Sequence, residues 1–235
     1  YAMRSHQRLA RAREQNRLEE IEPLYDSDGQ VYEHDDGLRL DSSMESLARL
    51  KPVFDRPVGR VTAGNSAQVS DGSAMLVLAS ERAVRDYRLP VLGRILDSQW
   101  AGLDPAQMGL GPAHAMAPIM RRHGLDSDDI DIWEINEAFA AQILACCLAW
   151  QSEDFCRDVL DQDKAFIPID EDRLNVDGGG LSLGHPVGAS GARIVLHALK
   201  AMQRLGKRRA MASLCIGGGQ GGALLLEATE ERMAA

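Results

Sequence analysis

No apolar run in this 235-residue sequence approaches the ~20 residues that a membrane-spanning helix requires. A leader with a charged start and an apolar stretch is not visible either, nor a Walker A sequence, an internal repeat or a low-complexity tract. Cysteine is scarce, with four residues: Cys146, Cys147, Cys156 and Cys215. None forms a C-x-x-C pair or has a histidine at ligand spacing, so neither a metal site nor a disulfide framework is expected. That usage fits a reducing, cytoplasmic setting. Basic residues are the minority, 26 against 35 acidic ones, for a formal charge of -9. This balance argues against a nucleic-acid partner but leaves room for a local cluster that holds an anionic ligand. An initiator Met is also lacking. The chain opens at Tyr1 inside what reads as a helix, and it is expected to be part of a longer protein.

What remains is ordinary globular composition, 45% apolar and 26% charged, at a length that can bury a substantial core. Residues 1–18 have helix-forming, basic composition with a thin apolar face (Ala2, Met3, Leu9, Ala10), which predicts a solvated helix docked on a domain. Residues 22–59 are rich in breakers such as Asp26-Ser27-Asp28-Gly29, with one short helix expected over 42–50 before Pro52. A strand is expected at 74–79. From there the pattern alternates: strand 91–96, helix 112–123, strand 130–135 and helix 137–150. Helix 188–205 and strands 211–216 and 223–228 complete it. Helix 137–150 is apolar nearly all round and is expected to lie between layers. In helix 188–205, Ala192, Val195, Leu199 and Met202 share one face. The whole reads as an α/β layered domain from about Val91 onward.

Three blocks concentrate chemistry, each at the end of a strand or leading into a helix: Asn136–Ala140 (N-E-A-F-A), Gly178–Gly191 with His185 inside it, and Cys215–Gly222. Glycine at this density lets backbone approach a ligand and frees N–H groups to face an oxyanion. Histidine and cysteine set beside such glycines form a candidate proton-transfer pair. Simpler roles exist for each: His185 as a hydrogen-bonded structural histidine, Cys215 as a small buried hydrophobe, Asn136 as a helix cap. The run Gly217–Gly222 matches G-x-G-x-x-G but leads into a strand-like segment, so no dinucleotide site is expected.

Together and in this order, the N-E-A-F-A, G-H-P-x-G-A-S-G and C-I-G-G-G-x-G blocks resemble the thiolase family. The resemblance extends to Tyr1–Ala12, which opens Y-A-x-R-S-H, and to K-P-V-F with V-T-A-G-N-S-A-Q-V-S-D-G within 51–72. It implies a layered α-β-α-β-α fold, here the C-terminal half plus part of the loop domain. Residues 1–68 would be the latter part of a coenzyme A-binding loop domain. Residues 69–90 would be the last strand and flank of the N-terminal half, and 91–235 the C-terminal domain. The activity implied is acyl transfer between a 3-ketoacyl-CoA and coenzyme A through a cysteine acyl-enzyme. Coenzyme A acts as a substrate, and no resident cofactor is expected.

In that scheme His185 activates the nucleophile and supplies one oxyanion donor, while Asn136 holds a water that supplies the other. Cys215 shuttles the proton at the α-carbon, and the Gly217 N–H belongs to a second oxyanion hole. Arg39, Ser46 and Ser66 match coenzyme A-contacting positions, whereas Ala67 stands where some relatives place a contacting serine. The acidic insert 151–171 after the N-E-A-F-A helix resembles degradative relatives that act on longer acyl chains. No cysteine here has the nucleophile's setting: Cys146 and Cys147 lie mid-helix, and Cys156 sits among Glu153, Asp154 and Asp158. The nucleophile is therefore expected outside this chain, and the chain alone is expected to be inactive and poorly soluble. Family members assemble as homodimers or homotetramers. A non-catalytic coenzyme A- or partner-binding module is the competing reading, with a ketosynthase-type condensing enzyme as a third.

Overall fold

The computed structural model describes residues 1–229. The last six residues of the expected C-terminal domain lie outside it. The chain begins with α1 (Ala2–Glu14), whose buried residues Ala2, Ser5, His6, Leu9 and Ala12 fall at helical spacing on one face. It ends four residues short of the expected limit, where Asn16 takes a left-handed conformation (φ 50°). The breaker-rich stretch that follows holds a small exposed hairpin, β1 (Leu24–Tyr25) and β2 (Val31–Tyr32), and then α2 (Met44–Ala48). Ser43 and Ser46 cap α2 reciprocally, side chain to backbone, in a capping box.

The expected strand at 74–79 does not form. Residues 71–80 run without regular structure, with Met75, Val77 and Leu78 exposed, because no neighbouring strand among the described residues offers them a ladder. Next comes α3 (Glu81–Tyr87), capped by Ser80, which the sequence pattern did not suggest.

The body of the domain is a four-stranded sheet in the order β3-β6-β5-β4. Its strands are β3 (Arg94–Gly102), β4 (Ile132–Ile135), β5 (Arg209–Ile216) and β6 (Gln220–Glu227). β3 starts and ends later than expected, because pairing with β6 carries the polar Asp97-Ser98-Gln99 along with the apolar residues. β4 and β5 are parallel, with Ile135 opposite Ser213, while β5 and β6 form an antiparallel hairpin.

Between β3 and β4 lies α4 (Gly111–His123), ended by Gly124 in the left-handed region. After β4 come α5 (Ala140–Trp150), α6 (Glu153–Asp158) and α7 (Ser190–Leu205). Alternation along β4 assigns its side chains to two cores. Trp133 and Ile135 pack with Met116, Ile119, Ile143 and Trp150 of α4 and α5, and Ile132 packs with Ile194, Ala198 and Met202 of α7. Fully burying each such side chain stabilises by roughly 1.5–3 kcal/mol.

The two expected helices flanking this sheet are shorter at their N-termini. α5 begins at Ala140 because Phe139 stays extended and the residues before it are paired elsewhere: Phe139 bridges to Ser66, and the Ala67 N–H donates to Ala138 O at 2.9 Å. Nor is α5 buried all round, since Ala141, Leu144 and Leu148 form an exposed stripe. On α7, Val195, Leu199 and Met202 are buried as expected, with Ala192 partly so. The acidic insert carries α6 and then lays Leu160, Phe166 and Ile169 over the first core. There the Phe166 ring stacks on Trp150 at 3.9 Å between centroids.

Candidate active site

Because β4 and β5 are parallel, both deliver residues to the same edge, and α7, which leads into β5, starts there. Asn136 follows β4 directly, Cys215 is the penultimate residue of β5, and His185 precedes α7. In open α/β sheets this carboxyl edge is where ligands bind. Asn136 is 1% exposed, and its Nδ2 lies 3.3 Å from Nε2 and 3.5 Å from Nδ1 of His185. Its backbone N–H donates to Ser213 O of β5 at 2.8 Å. The side chain makes no cap on α5, so the simpler role considered for Asn136 does not hold. Its Oδ1 is buried without a protein partner, an open acceptor in the site.

His185 is half-buried and held at both ends. Its backbone N–H donates to Ser70 Oγ at 3.1 Å, and Nδ1 lies 2.6 Å from Ser190 Oγ. The Ser190 hydroxyl donates to Pro186 O at 3.1 Å, so its oxygen is left to accept from Nδ1–H. That fixes the tautomer and leaves Nε2 with the lone pair, facing Asn136. Burial, then the nearby Arg193 guanidinium, pushes the imidazole below its ordinary value, which keeps it neutral at pH 7. Gly184, at φ +119°, is required here: a Cβ would lie 2.7 Å from Ser70 Oγ.

Cys215 is 6% exposed, and burial raises its thiol above the ordinary value against a partly compensating backbone hydrogen bond. Burial raises the other three thiols as well, Cys146 to about 12. Gly217 opens the exposed tip of the β5–β6 hairpin, where Gly218 and Gly219 take φ of +86° and +83°. The hairpin runs directly into β6, the strand expected after this glycine run.

Of the three coenzyme A candidates, Ser66 lies beside this edge, bridged to Phe139, with its hydroxyl donating to Thr62 O at 2.8 Å. Arg39 sits apart. Its backbone N–H donates to His6 Nδ1 at 3.2 Å, and its side chain helps line a cleft of about 230 Å³ with His6, Arg11 and Glu14. Ser46 is exposed and committed to the α2 cap, its hydroxyl donating to Ser43 O at 2.9 Å. A second, open cleft of about 420 Å³ lies beside His185, bounded by residues 70–74 and 186–189.

Four residues that motif reading passed over shape the site. Ser70 and Ser190 anchor His185. Glu137 is 1% exposed directly after Asn136. Arg193 has a buried guanidinium with Nε and Nη2 lacking protein partners, its basicity lowered by burial against the opposing pull of Glu134 and Glu137. Ser190 and Glu137 stand inside the motif blocks and were open to being found. Ser70 stands inside the resembling block at 61–72, whereas Arg193 carried no local signal.

Two family models match the chain: "Thiolase, N-terminal domain" over residues 1–82 and "Thiolase, C-terminal domain" over residues 89–228. Among curated proteins, the chain is 42% identical over 231 residues to a beta-ketoadipyl-CoA thiolase of Pseudomonas aeruginosa, covering 97% of this chain and 54% of the relative. It is 41% identical over 236 residues to a probable acetyl-CoA acetyltransferase of Escherichia coli, covering 98% and 55%. Among solved structures, the Bacillus anthracis acetyl-CoA acetyltransferase superposes with a TM-score of 0.83 at 39% identity, covering 97% of this chain and 54% of that one. Human mitochondrial 3-ketoacyl-CoA thiolase in complex with CoA gives 0.81 at 35%, covering 97% and 53%. The dimeric peroxisomal thiolase of Saccharomyces cerevisiae gives 0.80 at 36%, with the same coverages of 97% and 53%. The chain thus spans about half the length of the relatives it matches. With its C-terminal-domain match covering more than half its residues, the chain belongs to the thiolase family.

Proposed function

We propose that this chain is the acid–base-bearing part of an acyl-CoA C-acyltransferase that moves an acyl group between a 3-ketoacyl-CoA and coenzyme A. The observation that carries this reading is the neutral His185 imidazole, its Nδ1–H held by Ser190 and its Nε2 turned toward the Asn136 amide. Cys215 closes the neighbouring parallel strand at the same edge.

In the cleavage direction, a cysteine thiolate attacks the 3-keto carbon, and the bond between the α- and β-carbons breaks. The departing acetyl-CoA enolate takes a proton from Cys215. Coenzyme A then gives its proton to the Cys215 thiolate, its sulfur displaces the cysteine from the thioester, and the released thiolate recovers the proton held by His185. Splitting one carbon–carbon cleavage into two acyl transfers is the gain of covalent catalysis. His185 Nε2, poised as a base, deprotonates the nucleophile and then faces the oxyanion as a donor. The unpartnered Asn136 Oδ1 suits a bound water that supplies the second donor. The Gly217 N–H, at an open hairpin tip, serves the second oxyanion hole. An oxyanion donor of this kind is worth a factor of about 10² to 10³ in rate.

All four thiols here are raised by burial, the wrong direction for a primed nucleophile, which supports placing that cysteine outside these residues. Residues 1–68 are then read as the latter part of the loop domain, with Arg39, Ser46 and Ser66 toward coenzyme A. Residues 69–90 close the N-terminal half, and 91–235 form the C-terminal domain. A homo-oligomer fits the dimeric relative in yeast. The test is to acylate a full-length chain containing these residues with acetyl-CoA and map the thioester by peptide mass spectrometry. A label outside residues 1–235 is expected. A label on Cys146, Cys147, Cys156 or Cys215 would overturn the division of labour.

A further inference from the structure

We propose that Glu137 is a positioning residue for acyl transfer, setting Asn136 and the His185-bearing loop in mutual register through hydrogen bonds that only a carboxylate can accept together. The inference rests on the acyl-transfer reading of the same site. Glu137 is buried, yet among the described residues no cation lies within ion-pair distance of it. Its compensation comes from four neutral donors on three segments. Oε1 accepts from Tyr1 Oη at 2.9 Å and Asn175 Nδ2 at 3.2 Å. Oε2 accepts from Ser5 Oγ at 2.6 Å and the Leu181 N–H at 3.2 Å. Burial and the adjoining carboxylate keep the Tyr1 phenol protonated, so it donates.

The His185 loop is wrapped onto this side chain. A Cβ at Gly179 would lie 2.9 Å from Glu137 Cδ, and one at Gly180 would lie 2.9 Å from Glu137 O and 3.4 Å from Asn136 Oδ1. Glycine is therefore needed at both positions because the loop closes against Glu137 and Asn136. From there a tight turn carries the loop to the histidine: the Leu183 N–H donates to Gly179 O at 2.8 Å, and the Gly184 N–H to Gly180 O at 3.2 Å. A shift at Leu181 thus reaches His185 within four residues. Glu137 holds one wall of the Asn136–His185 pair through its own backbone and the other through the Leu181 N–H.

The chemistry of the four donors makes glutamine a poor substitute despite its equal size. The Leu181 N–H cannot reverse. Asn175 cannot rotate either, because its Oδ1 accepts from the Ile135 N–H at 2.9 Å while Nδ2 donates to Ile135 O at 2.8 Å. A glutamine amide has one acceptor and one donor end, so in either orientation its NH₂ meets a fixed N–H. Aspartate stays acceptor-only but is one methylene short, so it can reach one pair of donors and not both.

The experiment compares wild type, Glu137→Gln and Glu137→Asp in a full-length chain containing these residues. It reads kcat and KM for thiolysis of acetoacetyl-CoA, the thermal midpoint, and hydrogen exchange at the Leu181 amide. Expected is a fall in kcat of about 10- to 100-fold for Glu137→Gln with KM little changed, since misplaced groups lose rate more than affinity. Glu137→Asp should be intermediate, and Leu181 exchange should accelerate in step with the loss while both variants still unfold cooperatively. A folded Glu137→Gln variant with wild-type kcat overturns the inference, as does lost kcat with unchanged Leu181 exchange. An inactive wild type sinks the acyl-transfer reading itself and takes this inference with it. An active wild type beside an unimpaired variant sinks the inference alone.

Discussion

Replacing His197 with glutamine should remove a large, pH-dependent part of the domain's stability. His197 on α7 is 3% exposed and surrounded by carboxylates: Nδ1 lies 2.5 Å from Glu20 Oε1, and Nε2 lies 3.3 Å from Asp177 Oδ2 and 3.9 Å from Glu134 Oε1. Burial alone would push the imidazole down, but Glu134, Asp177 and Glu20 outweigh it and hold the value at about 10. Taken from an unfolded value of about 6.5, that displacement corresponds to about 4–5 kcal/mol. Removing one partner from a buried charge cluster costs about 3–5 kcal/mol by independent reasoning, so the two agree.

At ~2–4 °C per kcal/mol for a domain of this size, His197→Gln should melt roughly 10–20 °C lower near neutral pH. The folded value lies above the unfolded one. The contribution is therefore complete below pH ~6.5 and is lost as pH rises through about 10. Glu134, pushed to about 7 mainly by burial, ionises inside the same window, so the difference between the two proteins is the readout rather than either curve. Denaturation of the full-length chain from pH 6 to 10, followed by fluorescence of the buried Trp133 and Trp150, measures it. A gap that is small at pH 6.5, or that widens toward pH 10, would refute the reasoning. The consequence reaches the site, because Asp177, also bound by Arg17 and Arg204, starts the loop that carries His185.

The remaining expectations follow from single contacts. Ser190→Ala frees the His185 tautomer and should lower kcat/KM about tenfold, the worth of one oriented hydrogen bond. In wild type the acid limb of kcat/KM should fall below pH 6.5, in the direction of His185's displacement, and a midpoint well above that would contradict it. Gly219→Ala should destabilise by about 1–3 kcal/mol in a melt, since φ is +83° and the new Cβ would overlap Leu103 O and sit 2.8 Å from Pro105 N. Gly217→Ala, whose Cβ meets nothing within 4 Å, should leave the melting temperature nearly unchanged. Expressed alone, the 235-residue chain should self-associate through Met75, Val77 and Leu78, and a monodisperse monomer in sedimentation would contradict that.

Elements with a strong period were legible in the sequence, and those decided by partners were not. α4 and α7 follow from apolar spacing ended by glycine, and the β5–β6 hairpin follows from two apolar runs around Gly217–Gly219. Segment 74–79 reads as a strand by composition, yet a strand needs a neighbour, and none is present among the described residues. β3 shows the converse: Asp97, Ser98 and Gln99 join a strand because β6 lies beside them. At the site, the glycine-flanked His185, Cys215 and Asn136 could be singled out by residue type. Ser70 and Arg193 could not, because their importance comes from lying against His185 across more than a hundred residues or inside a buried charge cluster. The reciprocal cap of Ser43 and Ser46 on α2 is a local contact that residue type did not single out.

The central claim is that these residues supply the acid–base half of an acyl transfer whose nucleophile lies elsewhere. Thiolysis of acetoacetyl-CoA by coenzyme A, assayed on the 235-residue chain alone beside His185→Ala, tests it most directly. The account predicts no turnover by either protein. Turnover by the chain that vanishes in His185→Ala would place the nucleophile among its own four cysteines and contradict the account.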